Sequence, residues 1–295
     1  MRSEKEMMEL ILNIAMDDER IRAVVLNGSR ANPNAPKDLF RDYDIVYIVT
    51  QLEPFVDGHT YIEKFGEVMM LQMPETMRDP LGDGRFTYLA LFADGNRIDL
   101  QIYPLEKMGK LLEDSSQTIT LLDKDNILPN FPPASDRSYF VEAPTKIAYD
   151  SCCNNFWWCL QNVAKGIWRD ELPYAMEMYN HYVREELNQM VDWYIGGKYS
   201  YQISTGKQGK YYKRLLEPEY YQWYKETYAN GEYNNFWDSI FIMGKLFGIL
   251  GRQVGSQAGY QYNCVDEEKM LDYLFAVRHL PTDAAEFRMS ERKDM

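Results

Sequence analysis

The chain is poor in residues that bind soft metals. Four cysteines and three histidines occur among 295 residues. Cys152, Cys153, Cys159 and Cys264 lack zinc-ligand spacing. Adjacent Cys152 and Cys153 would make a strained disulfide, so reduced, buried thiols in a cytosolic protein are expected. Basic residues are also scarce: 32 Lys and Arg face 45 Asp and Glu, a net charge of −13. That argues against nucleic acid as a partner, because a phosphate backbone is held by a basic patch. It suits a cationic ligand drawn in over distance. Missing too is any apolar run of the roughly 18–20 residues that a membrane helix needs. Residues 239–250 are the most hydrophobic stretch, but Lys245 interrupts them, which predicts a core helix. Residues 1–9 are charged and hold no apolar signal core, so the cytoplasm, with no membrane partner, is the expected location. No internal repeat, low-complexity tract or long heptad pattern occurs, and a monomer is expected over a dimer.

What the chain does have is aromatic surface and two contrasting halves. Tyrosine occurs 23 times and tryptophan 6 times, and Trp157, Trp158 and Trp168 are expected to be core rather than stacking platforms. The length suffices for two domains, each with its own core. Residues 1–135 read as an α+β domain with a mixed sheet. Ser3 with Glu6 fits a helix-starting capping box, and Met7, Met8, Ile11, Leu12 and Ala15 form a helical apolar stripe. Strand-like runs follow at residues 23–26, 41–49, 67–72, 87–93 and 97–103. Pro129, Pro132, Pro133 and Pro144 mark an extended connection. Residues 136–295 then read as a mostly helical domain. Helices are expected over 146–168, 171–195 (ended by Gly196-Gly197), 218–228, 235–250 and 265–279. An exposed, mobile turn region is expected over 198–213, and a frayed tail over 290–295.

The chemistry-bearing residues gather in the first half. Asp42 and Asp44 lie two apart in the run Arg41-Asp42-Tyr43-Asp44-Ile45-Val46. On a strand, residues i and i+2 share a face, with Cα atoms roughly 6–7 Å apart. Two acids on one face repel unless something positive joins them, and a hard divalent cation suits carboxylate oxygens. Gly28 ends the preceding strand and lets the backbone approach a ligand closely. Ser29 offers both a hydroxyl and an N–H to a phosphate oxygen. Further on, Asp94-Gly95-Asn96 is a hairpin signal. In the strand after it, Asp99 and Gln101 alternate with Ile98, Leu100 and Ile102, so Asp99 faces away from the apolar side. A sheet setting this strand beside the Asp42/Asp44 strand would put three carboxylates on one face.

Gly28-Ser29, Asp42-Tyr43-Asp44 and the later Asp99 together resemble the nucleotidyltransferase superfamily whose best-known member is DNA polymerase β. The likeness extends along nearly the whole chain. Leu26-Asn27-Gly28-Ser29-Arg30, Leu122-Asp123-Lys124-Asp125 and Asp150-Ser151-Cys152-Cys153-Asn154-Asn155-Phe156-Trp157 are similar to aminoglycoside 6-adenylyltransferases.

That resemblance implies transfer of AMP from ATP, with Mg²⁺, to the 6-hydroxyl of streptomycin, releasing pyrophosphate. It implies Asp42 and Asp44 as metal ligands, and Asp99 as a further ligand, the base for the hydroxyl proton, or both. Gly28 and Ser29 would hold the triphosphate, with Arg30 and Lys165 as further nucleotide-binding candidates. The partners implied are ATP and a cationic aminoglycoside. Acids of the second domain would meet the drug's guanidinium groups, and the candidates are Asp150, Glu171, Glu177 and Asp192. Alternatives are transfer to another aminoglycoside or to a protein hydroxyl, or nucleotide binding without catalysis.

Overall fold

The computed structural model describes residues 1–80, 82–111 and 116–289. The expected frayed tail lies outside the described residues. These residues cluster into two units, Met1–Ser138 and Tyr139–Met295.

The first unit opens with α1 (Glu4–Asp17), where Ser3 and Glu6 form the capping box that their spacing predicts. Met7, Ile11 and Ala15 are the buried stripe of this helix. A six-stranded sheet follows, in the order β3-β4-β5-β2-β1-β6. Its strands are β1 (Ile21–Asn27), β2 (Tyr43–Val49), β3 (Val68–Gln72), β4 (Phe86–Phe92), β5 (Arg97–Pro104) and β6 (Thr118–Asp123). Short helices α2 (Gly28–Ala31), α3 (Glu53–Val56) and α4 (Met108–Leu111) lie between them. All pairings are antiparallel except β2 with β5. The sheet is therefore mixed, as expected, and β2 and β5 lie side by side at its centre. Tyr47 and Tyr88 carry phenols into the apolar layer and satisfy them on the carbonyls of Ile11 and Phe55, each at 2.6 Å.

The turn between β4 and β5 forms as Asp94-Gly95-Asn96 predicts. Gly95 takes a φ of 84°, and Asp94 Oδ1 accepts from the Asn96 amide at 3.0 Å. Strand β6 had no expectation, because its apolar alternation is short and only the pairing with β1 defines it.

The second unit is helical: α5 (Lys146–Trp168), α6 (Leu172–Glu177), α7 (Arg184–Lys198), α8 (Tyr212–Leu215), α9 (Pro218–Glu226), α10 (Tyr233–Ala258) and α11 (Cys264–Arg278). The expected single helix over 171–195 is instead broken by a π-helical segment, Met178–Val183. The apolar positions explain it. Ala175, Tyr179, Val183 and Leu187 are all fully buried, at steps of four. At 3.6 residues per turn each such step drifts by roughly 40° around the helix. A wider π turn takes up that drift and keeps the stripe on the core. Gly196 and Gly197 do not end the helix, which runs to Lys198.

The turn region after it is only partly exposed: Ser204, Thr205 and Tyr212 are buried. Trp157 is in the core, with its Nε1 donating to the Tyr262 hydroxyl at 3.0 Å, and Trp168 is half-buried. Trp158, by contrast, is exposed, so the expectation of a core role fails there. All four cysteines are free, but Cys264 is exposed. No helix among the described residues is long and apolar enough to cross a membrane.

Candidate active site

The centre of the sheet sets the acids in place. Asp44 stands directly opposite Asp99 in the parallel β2–β5 pair. Asp42 sits one residue before β2 begins, just outside the strand that the sequence pattern suggests. In β5, Ile98, Leu100 and Ile102 are fully buried while Asp99 and Gln101 are not, so Asp99 faces away from the apolar layer as expected.

Gly28 lies where β1 passes into α2, with φ +71°. A Cβ there would stand 2.9 Å from the Cγ of Asp44, and closer still to its Oδ2. Glycine thus serves two needs at one position: a backbone that L side chains rarely adopt, and room for the carboxylate. The Gly28 amide donates to the Gln117 carbonyl at 3.1 Å, so it is engaged within the protein. Ser29 follows in the single turn of α2.

A reciprocal arginine clamp joins this turn to the aspartate segment. Arg30 donates to the carbonyls of Asp42 and Arg41, at 3.0 and 2.7 Å. Arg41 donates back to the Ser29 carbonyl at 3.3 Å. Both guanidinium groups reach Glu4 of α1, at 3.0 and 3.4 Å, and both side chains are only 7 % exposed. Arg30 also stacks on the Tyr43 ring, 3.6 Å from its centroid. The Arg30 guanidinium therefore holds the backbone in front of β2. The Arg41 Nε is buried with no hydrogen-bond partner.

Electrostatically the site is short of positive charge. Burial, then the neighbouring Asp99 and Asp42, push the Asp44 carboxyl up to about 6. Asp42 is raised as well, chiefly by burial, with Arg97 opposing. Arg97 grips Asp99 with two bonds, at 2.7 and 2.8 Å, and reaches Asp42 at 3.5 Å. Among the described residues no three Asp, Glu, His or Cys side chains converge as a set of metal ligands. The donor chemistry nonetheless fits a hard divalent cation. Asp44 and Asp99 are carboxylates on paired strand positions with Asp42 just before β2, and burial together with the neighbouring acids raises the Asp44 carboxyl.

The second-unit candidates do not gather in one place. Asp150 lies early in α5 and pairs with Lys146. Glu171, beyond the end of α5, is the exposed N-cap of α6. Roughly 27 Å of helix separates these two, at 1.5 Å per residue. Glu177, the last residue of α6, is exposed. Asp192 in α7 is half-buried and accepts from the Tyr212 hydroxyl at 2.8 Å. Burial raises its carboxyl while the bonds from Tyr212 and Thr205 hold it down. Lys165, near the end of α5, bonds Gln161 at 3.4 Å. A pocket of about 260 Å³ is lined by Asp150, Asn154, Trp157, Tyr262 and Asp266 among others.

The sequence profile described as streptomycin adenylyltransferase matches residues 1–277. The chain belongs to the streptomycin adenylyltransferase family. It is 38 % identical over 270 residues to an aminoglycoside 6-adenylyltransferase of Bacillus subtilis (strain 168), covering 90 % of this chain and 95 % of that one. A second, from Campylobacter jejuni, is 38 % identical over 269 residues, covering 91 % and 93 %. The crystal structure of an aminoglycoside 6-adenyltransferase from Bacillus subtilis matches with a TM-score of 0.47 at 33 % identity, over 95 % of this chain and 100 % of that one. Family membership and the two curated relatives make this chain a nucleotidyltransferase.

Three residues beside the candidate acids were not singled out from the sequence as site residues: Glu4, Arg41 and Arg97. Arg97 had a usable signal, standing two positions before Asp99 on the same strand face. No local pattern pairs Glu4 with Arg41, because the clamp's contacts cross from α1 and the loop before β2 to α2.

Proposed function

We propose that this nucleotidyltransferase moves AMP from ATP to the 6-hydroxyl of streptomycin and releases pyrophosphate. The observation that carries the reading is Asp44 paired across the sheet with Asp99 while Gly28 gives its carboxylate room. Family membership supplies the nucleotide and aminoglycoside classes.

In this reading Asp99 takes the proton from the acceptor hydroxyl. The hydroxyl oxygen forms a bond to the α-phosphorus as the bond from that phosphorus to the bridging oxygen of pyrophosphate breaks. Ser29 orients the triphosphate through its hydroxyl and amide. Arg30 and Arg41 brace that turn against the segment before β2 through backbone carbonyls. Asp42, Asp44 and Asp99 would hold Mg²⁺ through hard carboxylate oxygens. Such an ion, when bound, supplies the positive charge that the raised Asp44 carboxyl lacks.

The test is pyrophosphate release from ATP and Mg²⁺ with streptomycin, set beside kanamycin, spectinomycin and no acceptor. Release with streptomycin alone, and an AMP adduct by mass spectrometry, is the expected result, with NMR assigning the hydroxyl. No release with any drug, from folded protein that binds ATP, would refute the proposal.

A further inference from the structure

Arg97 spends its donors differently from the two arginines of the clamp. Arg30 and Arg41 are largely buried and donate to the carbonyls of Asp42, Arg41 and Ser29. They hold backbone in place. Arg97, the first residue of β5, is 44 % exposed. The partners of its guanidinium are carboxylates: Asp99 at 2.7 and 2.8 Å, and Asp42 at 3.5 Å. Its removal would leave no backbone carbonyl without a donor, so these contacts serve the acids rather than the strand.

The pairing follows from strand geometry. Arg97 and Asp99 stand two apart on β5 and share its face. Asp99 is the direct partner of Asp44, and Asp42 precedes β2 on the same side of that pair. One guanidinium thus lies among all three acids, and all three stabilise its charge.

That position sets Arg97 against a metal ion. The fork bonds both oxygens of Asp99 and reaches Oδ2 of Asp42. Mg²⁺ would need oxygens of the same carboxylates, in near-ideal octahedral geometry. An ion on their remaining lone pairs would stand beside the guanidinium, and the two cations would repel. Arg97 and Mg²⁺ therefore compete for one set of acids.

We propose that Arg97 is an exchangeable counter-ion: it yields Asp99 and Asp42 to Mg²⁺ and pairs instead with the triphosphate. This rests on the reading above that Asp42, Asp44 and Asp99 hold the ion. A guanidinium suits the exchange, because its planar fork matches carboxylate and phosphate alike. Only a half-exposed side chain has to move. The exchange couples the two ligands, each favouring the arrangement that the other needs, and such coupling is reciprocal. The metal by itself meets a competing cation, and the ion arrives to best effect with its nucleotide.

The test is a pair of calorimetric titrations of the full chain: Mn²⁺, standing in for Mg²⁺, without nucleotide, and the non-reacting α,β-methylene analogue of ATP in EDTA. Wild type, Arg97→Gln, Arg97→Lys, Asp44→Asn and Lys5→Gln are compared, with circular dichroism checking the fold of each. Lys5 lies on α1, 84 % exposed and paired with Glu9, so Lys5→Gln removes one positive charge that no candidate acid uses. Arg97→Gln should bind Mn²⁺ about tenfold more tightly than wild type, and the analogue about tenfold more weakly. Arg97→Lys should fall between, because an ammonium keeps the charge but not the fork. Lys5→Gln should match wild type, and Asp44→Asn should lose affinity for Mn²⁺. An unchanged Kd for either ligand in Arg97→Gln, or weaker binding of both as a purely structural role would give, overturns the exchange. The metal reading then stands as long as Asp44→Asn still loses Mn²⁺. Equal Mn²⁺ affinity in Asp44→Asn and wild type, or no Mn²⁺ binding by wild type and Arg97→Gln alike, overturns both.

Discussion

Replacing Asp44 by Asn should stabilise the first unit while removing activity. The Asp44 carboxyl is raised from 3.8 to about 6 by burial and by the adjacent Asp99 and Asp42. A shift of roughly two units at 1.36 kcal/mol each is about 3 kcal/mol of strain in the charged form. The sign follows from proton uptake. A carboxyl whose folded pKa lies above its unfolded pKa binds more protons folded than unfolded between those values. Stability is therefore greatest below about 4, falls as pH rises through the window up to about 6, and stays reduced above it. Asparagine mimics the neutral acid and removes that loss. Asp44→Asn should then exceed wild type by up to about 3 kcal/mol at pH 8 and match it near pH 4. The assay is urea unfolding followed by far-UV circular dichroism in EDTA. All the tryptophans lie in the second unit, so their fluorescence reports that unit and serves as an internal control. Adding Mg²⁺ should raise the stability of wild type but not of the variant, through binding to the folded form. An Asp44→Asn protein no more stable than wild type at pH 8, or more stable by the same amount at pH 4, would refute the electrostatic reasoning.

Gly28→Ala should abolish AMP transfer and destabilise the first unit by about 1–2 kcal/mol from backbone strain alone. Overlap with the Asp44 carboxylate adds to that, and thermal melting with a turnover assay checks both. Arg30→Ala should cost about 2–3 kcal/mol, because two carbonyls before β2 lose their donor. Arg30→Lys should recover little of it, since an ammonium cannot reproduce the fork or the stacking on Tyr43; equal stability of the Lys variant and wild type would count against the clamp. Asp99→Asn should lower the rate by orders of magnitude with little change in nucleotide affinity. An unchanged rate and pH profile in that variant would exclude Asp99 from the chemistry.

Much of the architecture was legible in the residues themselves. Local signals placed the capping box of α1, the Asp94-Gly95-Asn96 turn and all of α5, because caps, turn chemistry and 3.6-residue periodicity act within a few neighbours. The alternation of Asp99 with buried isoleucine and leucine fixed which way it faces. The joint presence of Gly28, Asp42, Asp44 and Asp99 followed from spacing and a family likeness.

Contacts between distant segments were the part no local pattern could reveal. The parallel pairing of β2 with β5 puts Asp44 against Asp99, and that depends on strand order, which side-chain alternation does not encode. Strand β6 exists through its pairing with β1. The Arg30–Arg41–Glu4 clamp links three segments by charge and backbone carbonyls. The π turn, and the exposure of Trp158 beside Trp157 in the core, depend on which helix covers which face of α5. The sequence by itself determined most of the elements and the residue chemistry they carry. Only the tertiary structure decided which acids share a neighbourhood and which are neutralised, because burial and Coulomb interaction depend on distances in space rather than along the chain.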